Sequence, residues 1–195
     1  MSAGFKYDVN PHAVVEEICD VQTLHHKRGA YRLDTTGLVV GSKLPRFTPV
    51  CADLTTRKCV VSKNVKVLEE VAADATTMKI AKNSLVAIGQ VLGTGTKGAK
   101  VQSIDKTNAA FDVVTLEAAF GEKVAAGKVL FEASADGGTK PKNQANFVIY
   151  EETKVEDGIV NVALIMRAYE IQEEKLVLPI STKDKEGLTA RFQFE

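Results

Sequence analysis

Two glycine-rich stretches, one lysine and a handful of histidines and cysteines are the places where this chain's residue types could do chemistry. Gly93-Thr-Gly-Thr-Lys-Gly98 matches the G-x-G-x-x-G dinucleotide pattern and follows an apolar run, Leu85-Val-Ala-Ile-Gly-Gln-Val-Leu92. Pyrophosphate binding by that pattern needs a helix to begin there, so that backbone N–H groups and the helix dipole meet the phosphates. The residues that follow, Ala99 to Asp105, carry a strand pattern instead, so the glycines read as hairpin chemistry. Gly121-Glu-Lys-Val-Ala-Ala-Gly-Lys128 approaches a phosphate-binding P-loop but has one residue too many between its glycines. Val129 also stands where the Mg²⁺-binding Ser or Thr belongs. Only His12, His25 and His26 could supply a base, and adjacent histidines do not face one site. With Cys19 they form a weak cluster better read as an exposed basic turn. Asp53, Asp105, Asp112 and Asp136 sit beside turn residues, where aspartate is used structurally. No nucleophile, acid and base converge, so the expectation is no enzyme, no metal and no cofactor.

Thr77-Met-Lys-Ile80 resembles a biotin acceptor, and the Gly121–Leu130 turn resembles one that closes lipoyl and biotinyl carrier domains. In those domains the acceptor lysine lies much closer to the glycine turn than Lys79 lies to Gly121. The plain alternative is a strand with Met78 and Ile80 inward and Lys79 in solvent. Cys19, Cys51 and Cys59 are an odd number without metal spacing, which suits a reducing cytosol. Cys51 and Cys59 flank a hairpin turn. A turn centred on Thr55 sets them face to face; a centre between Thr55 and Thr56 pairs Cys51 with Val60 instead.

The elements that would position these residues are short strands. Asn10 and Pro11 predict an N-terminal helix with Val14, Val15, Ile18 and Val21 on one face and Glu16 and Glu17 near its positive end. It ends before Gly29, giving an N-terminal arm over 1–30 whose apolar stripe needs cover from the same chain or from a neighbour. From 31 to 195 the chain reads as β-rich, with strands at Leu38–Val40, Thr48–Cys51, Lys58–Val61, around Val65 and Val67, and at Met78–Ile80. Leu85–Leu92 reads as a buried strand pair or as one strand bent at Gly89. Lys100–Asp105, Phe111–Leu116 and Lys128–Glu132 continue the series. Gly137–Lys142 is the clearest loop, so the domain could divide into two sub-barrels near 136–145. Ile159–Ile171 predicts the longest strand, with Val160, Val162, Leu164, Met166 and Ala168 on one face. Ala190–Glu195 alternates and should join a sheet. The expected fold is mainly β, a small barrel or sandwich of short antiparallel strands with an arm carrying a short helix.

Composition narrows the partners. The 195 residues balance 25 basic against 25 acidic side chains, so there is little long-range field to draw nucleic acid or anionic lipid. No apolar stretch is long enough to span a bilayer, and the first residues lack the pattern of a secretory signal.

Gly37-Leu-Val-Val-Gly-Ser-Lys-Leu-Pro-Arg-Phe-Thr-Pro-Val50, with Asp53 and Arg57-Lys58, is similar to an element of tailed-bacteriophage head fibre and head decoration proteins, in the form carried by Bacteroidales phages and prophages. Thr77–Gly89, Val101–Asn108, Phe111–Leu116 and Gly121–Leu130 extend the likeness across about residues 30–135, with weaker likeness near Leu178-Pro179 and the C-terminus. Phe47 stands where that family usually has glycine, and Gln90 where an aspartate often follows Gly89. The resemblance implies a structural virion component on the capsid exterior, made in the host bacterial cytoplasm. It implies binding to the major capsid protein and to itself as a homotrimer, with no catalysis, nucleic acid or membrane. Contacts to capsid or to neighbouring subunits are expected at Val14, Val15, Ile18 and Val21 of the arm and at Leu44, Pro45, Phe47 and Pro49 of the motif. The alternatives are a small carrier or carbohydrate-binding module, whose host-surface glycan the sequence does not otherwise support, and an enzyme using the Gly93–Gly98 loop for phosphate.

Overall fold

A computed structural model describes residues 18–195. Asn10, Pro11, His12, Val14, Val15, Glu16 and Glu17, and with them most of the expected N-terminal helix, lie outside the described residues. The fold is mainly β, as the alternating runs require. Its strands are β1 (Asp20–His26), β2 (Tyr31–Asp34), β3 (Lys43–Leu44), β4 (Pro49–Asp53), β5 (Lys58–Val61), β6 (Asn64–Lys66), β7 (Thr77–Ile80) and β8 (Val91–Gly93). They continue with β9 (Gly98–Asp105), β10 (Asp112–Leu116), β11 (Val129–Glu132), β12 (Phe147–Ile149), β13 (Thr153–Lys154), β14 (Val160–Val162), β15 (Leu164–Ile171) and β16 (Phe192–Phe194). The α-helix among the described residues is α1 (Thr182–Leu188), near the C-terminus.

One sheet runs β1-β15-β12-β4-β5-β2-β14, with β16 added in parallel to β15. β14 and β15 stand near opposite ends of that order, yet Ala163 alone separates them in the chain. Two peptide steps span at most about 7 Å, so the sheet has to curl until its ends approach. At β12 both faces are buried, which is why it reads as the unbroken apolar run Phe147-Val-Ile149, whereas β2 and β14 alternate buried and exposed residues. Phe147 and Ile149 pack with Tyr31, Leu33, Val50 and Leu164; Val148 packs on the other face with Ile165, Ala168, Leu188 and Phe192.

The second sheet runs β6-β11-β8-β9-β10-β7, and its two edges meet. Val67 bridges Ile80, the Leu68 N–H donates to the Lys79 carbonyl at 3.0 Å, and the Ala81 N–H to the Lys66 carbonyl at 2.9 Å. This closed barrel has its own core of Val65, Met78, Ile80, Leu92, Val114 and Leu130. It is built from one continuous stretch of chain, with the strands of the curled sheet before and after it. Ser62-Lys63 carries the chain into the barrel, and the 136–145 segment carries it back to the curled sheet.

Several expectations are corrected. Ile18 and Val21 are not helical: Asp20–His26 is a strand whose backbone pairs with β15. Thr23 Oγ1 donates to the Asp20 carbonyl and accepts from the Tyr169 N–H at 2.9 Å, so the local polarity serves a bulged edge. Leu38–Val40 is a turn, because Gly37 (φ 73°) and Gly41 (φ 87°) bend the chain on either side. Within Leu85–Leu92 only the end belongs to a strand; Gly89 turns the chain, and the Gln90 side-chain oxygen accepts the Ala87 N–H at 2.9 Å. Ile159–Ile171 is two strands. It changes partners at Ala163, from β2 to β12 and β1, and the face shifts so that Met166 is exposed.

Gly93–Gly98 is the expected hairpin, and its glycines have a packing reason besides. A Cβ on Gly98 would lie 2.5 Å from the Asp136 carbonyl oxygen, and one on Gly93 would lie 2.6 Å from that of Gly138. The C-terminal alternation is β16, as expected. The hairpin register pairs Cys51 with Val60 and Cys59 with Ala52, and all three thiols are free.

Burial pushes the Cys19 thiol up to about 11 and the Cys59 thiol to about 12, from 9.0. Because the folded values are raised, their contribution to stability is fully present below pH 9.0 and is lost as the pH rises toward those folded values. The melting temperature should therefore fall steeply above pH 9. A thiol reagent at neutral pH should label half-buried Cys51 ahead of Cys19 and Cys59; equal labelling rates would refute the buried placement. A second expectation concerns Gly187, whose added Cβ would run into the Ala145 carbonyl oxygen. Alanine for glycine stabilises an exposed helix by about 1 kcal/mol. Here Gly187→Ala should destabilise by about 1–3 kcal/mol in denaturant melts, and a gain would show that α1 does not sit on Ala145.

Candidate functional site

The motif 44–50 is built as a tight turn between β3 and β4. Thr48 Oγ1 donates to the Pro45 carbonyl at 2.6 Å, and the Phe47 N–H donates to the Ile149 carbonyl at 2.8 Å. Phe47 adopts φ 59°, the region that favours glycine. Leu44, Phe47 and Pro49 are buried within one copy of the chain, while Pro45 is half-buried and borders a cleft. Ile18 packs at the edge of the cluster that contains Phe47, and Val21 is exposed on β1. Val14 and Val15 lie outside the described residues.

The cleft, about 820 Å³, opens between the curled sheet and the barrel. Leu38 and Val39 come from the turn after β2, Leu85 and Ile88 from the loop between β7 and β8, and Val177 and Leu178 from the segment before α1. Val39 is 75% exposed, Ile88 65% and Val177 56%, an unusual concentration of large apolar side chains in solvent. Lys43 and Glu152 form an exposed ion pair of 2.6 Å at the rim, where Lys106 adds a second cation. Among the described residues no aromatic side chain lines the cleft, so its described walls present no ring on which a sugar could stack.

The groups that read as chemistry in the sequence are occupied elsewhere. Lys79 lies within β7, ion-paired to Glu69 at 2.8 Å and 5.0 Å from the Phe111 ring centroid, rather than on a projecting turn. Met78 and Ile80 point inward beside it, so the plain strand reading holds. In the P-loop-like stretch, Val124 is buried and bridges Val71, which makes the turn an apolar plug. Its Glu122 accepts hydrogen bonds from the Thr94 and Thr96 hydroxyls, which hold its carboxyl below the usual range. Asp53 is likewise lowered, by the Thr56 hydroxyl and the Thr55 and Thr56 N–H groups that cap its turn. Among the described residues no three His, Cys, Asp or Glu side chains are grouped to hold a metal ion, and no helix is long and apolar enough to cross a membrane.

The most connected polar group is one that sequence reasoning missed. Asp184, fully buried, accepts from Ser62 Oγ at 2.8 Å, Asn64 Nδ2 at 2.7 Å, Ser181 Oγ at 2.8 Å and the Ala145 N–H at 2.8 Å. Ser181 is also the N-cap of α1, accepting the Asp184 N–H at 3.1 Å. The spacing Ser181-Thr-Lys-Asp184 is a capping signature that could have revealed the helix. Its partners Ser62, Asn64 and Ala145 carry no sequence signal.

Among the described residues of the curled sheet and the barrel, these polar groups lock turns and crossings, and an apolar surface is left open at the cleft. The chain belongs to the phage family described as head fiber protein, which matches residues 1–192. It is thus a structural component of the phage virion. No curated protein and no solved structure matches it.

Asp184→Ala should cost about 3–5 kcal/mol in denaturant unfolding, because it strands several buried donors at once. Asp184→Asn keeps one acceptor and should lose less. A loss for Asp184→Ala below about 1 kcal/mol would mean that the network is not holding the fold.

Proposed function

We propose that this protein is a capsid-surface decoration or head fibre protein that binds the assembled major capsid lattice as a homotrimer and performs no chemistry. The observation that carries the reading, given the family, is β1. It is the terminal strand of the curled sheet, paired on one side with β15. Among the described residues its other edge has no strand partner, so it offers backbone N–H and C=O groups, with Val21 exposed beside them, to a strand of another chain. The arm with Val14 and Val15 leads directly into this edge. A closed homo-oligomer on a repeating lattice engages several modest contacts at once, so avidity replaces strong single interfaces. The balance of acidic and basic residues fits contact by shape and strand edge rather than by long-range attraction. A stacking glycan site is not favoured, since no aromatic side chain among the described residues lines the cleft.

Light scattering on a sizing column should give about 63 kDa, three copies of the 21.0 kDa chain, and a monomer would remove the trimer from the reading. Sedimentation with empty capsids should be lost in Val21→Asp and in Val14→Asp/Val15→Asp while the melting temperature stays that of the wild type. Retained binding in both variants would refute β1 and the arm as the contact.

A further inference from the structure

Strand register sets a row of exposed polar side chains across the outer face of the curled sheet. Asp53 on β4 stands opposite Lys58 on β5, Lys58 opposite Arg32 on β2, and Arg32 opposite Asn161 on β14. Like charges set side by side on paired strands destabilise a sheet, so the Arg32–Lys58 pair carries a cost that an anion between them would relieve.

The nearby carboxylates do not supply that anion. Asp53 accepts the Thr55 N–H at 2.8 Å and the Thr56 hydroxyl at 2.7 Å, and Asp34 accepts the Thr36 N–H at 2.9 Å. Among the described residues neither Arg32, Arg57 nor Lys58 forms an ion pair. Arg32, Lys58, Asp34, Thr35 and Thr36 instead line a pocket of about 380 Å³, with Gly158 at its border. Arg57 adds a third cation at this end of the sheet. Its carbonyl accepts the Arg32 N–H at 2.8 Å, and its guanidinium lies where a Cβ on Gly29 would run into it. We propose that this pocket is a docking site for an acidic protein segment, one carboxylate of which sits between Arg32 and Lys58.

Two features select a protein segment over other anions. The first is apolar flanks. Leu54, 52% exposed, follows Asp53 at the β4 end of the row, and Ile159, 66% exposed, follows Gly158 at the β14 end. A charged centre between apolar side chains suits a chain whose carboxylate has apolar neighbours, and it offers nothing to a bare phosphate backbone. The second is mixed sign. Asp34 lies in the pocket, and Glu156 and Asp157, both exposed, precede Gly158. A polyanion would meet those carboxylates along its length, whereas a single carboxylate needs only the space between two cations. Arginine adds geometry, since its guanidinium can hold both oxygens of one carboxylate. The contact lies on β2 and β5, apart from the β1 edge, and does not depend on the capsid reading.

The test titrates the full-length protein into a rhodamine-labelled Leu-Glu-Leu-Glu-Leu-Glu peptide and follows anisotropy. The wild type should bind it, and glutamine in place of glutamate in the peptide should weaken binding about tenfold or more. Arg32→Ala/Lys58→Ala should weaken binding by about the same factor, with a melting temperature no lower than that of the wild type. Arg32→Glu/Lys58→Glu should prefer a Leu-Lys peptide of the same length, which keeps the test independent of the alanine variant's folding. Equal affinity for the glutamate and glutamine peptides overturns the proposal. So does undiminished binding of the glutamate peptide in both variants, or no binding by the wild type at about 1 mM. Tighter binding of dodecathymidylate, lost in Arg32→Ala/Lys58→Ala, would overturn it in favour of nucleic acid.

Discussion

The carboxylate of Asp184 is the point on which the two bodies of this protein depend. Its donors come from separate parts of the chain: Ser62 and Asn64 where it leaves the curled sheet for the barrel, Ala145 where it returns, and Ser181 at the start of α1. A buried carboxylate is tolerated only when its lone pairs are filled, so the three segments are held to one geometry by the cost of releasing any of them. Gly187 lets α1 press directly on the Ala145 backbone, completing the seat. Beside this knot the Glu132 N–H donates to the Lys63 carbonyl at 2.8 Å, so the outgoing and returning chains are tied to each other.

The cleft follows from that crossing. With the barrel fixed against the curled sheet, the turn after β2 and the loop before β8 both line the cleft. The nearby motif shows a related compromise. Phe47 takes a left-handed conformation that costs about 1–2 kcal/mol for a side chain with a Cβ. Burying its ring against Val148, Ile165 and Leu188 returns about 1.5–3 kcal/mol. Phenylalanine can thus stand where the family resemblance implies glycine, because the backbone strain is offset by packing that glycine could not supply. Gln90 shows the same economy at a second departure, reaching the Ala87 N–H to close its loop.

Much of the strand content was legible because a half-buried strand alternates. Lys58–Val61 and Asp112–Leu116 alternate cleanly and were read at almost their true limits. The errors have physical causes. Ile18 and Val21 fit a helical stripe, yet β1 is held by pairing to β15, a partner more than a hundred residues away that no local window contains. Met166 fell on the wrong face because the strand changes partners at Ala163, and apolar residues on both sides conceal the break. α1 is only two turns long and too short to show a period, so it rests on its cap and on tertiary packing. The cleft was invisible for a related reason: its walls are loops near 38, 88 and 177, and each alone reads as an ordinary turn or strand end. Of the motif residues, Leu44, Phe47 and Pro49 are buried within one copy of the chain and Pro45 borders the cleft.

A protein whose work is mechanical should spend its polar groups on joints and leave its apolar excess at places where another segment can cover it. Glu122 between two threonines, Asp53 over its turn and Asp184 at the crossing are all saturated by hydrogen bonds from this chain. Saturation of that kind suits rigidity, because each carboxylate is held by several donors at once. Among the described residues, what remains open is a strand edge at β1 and an apolar cleft between the curled sheet and the barrel.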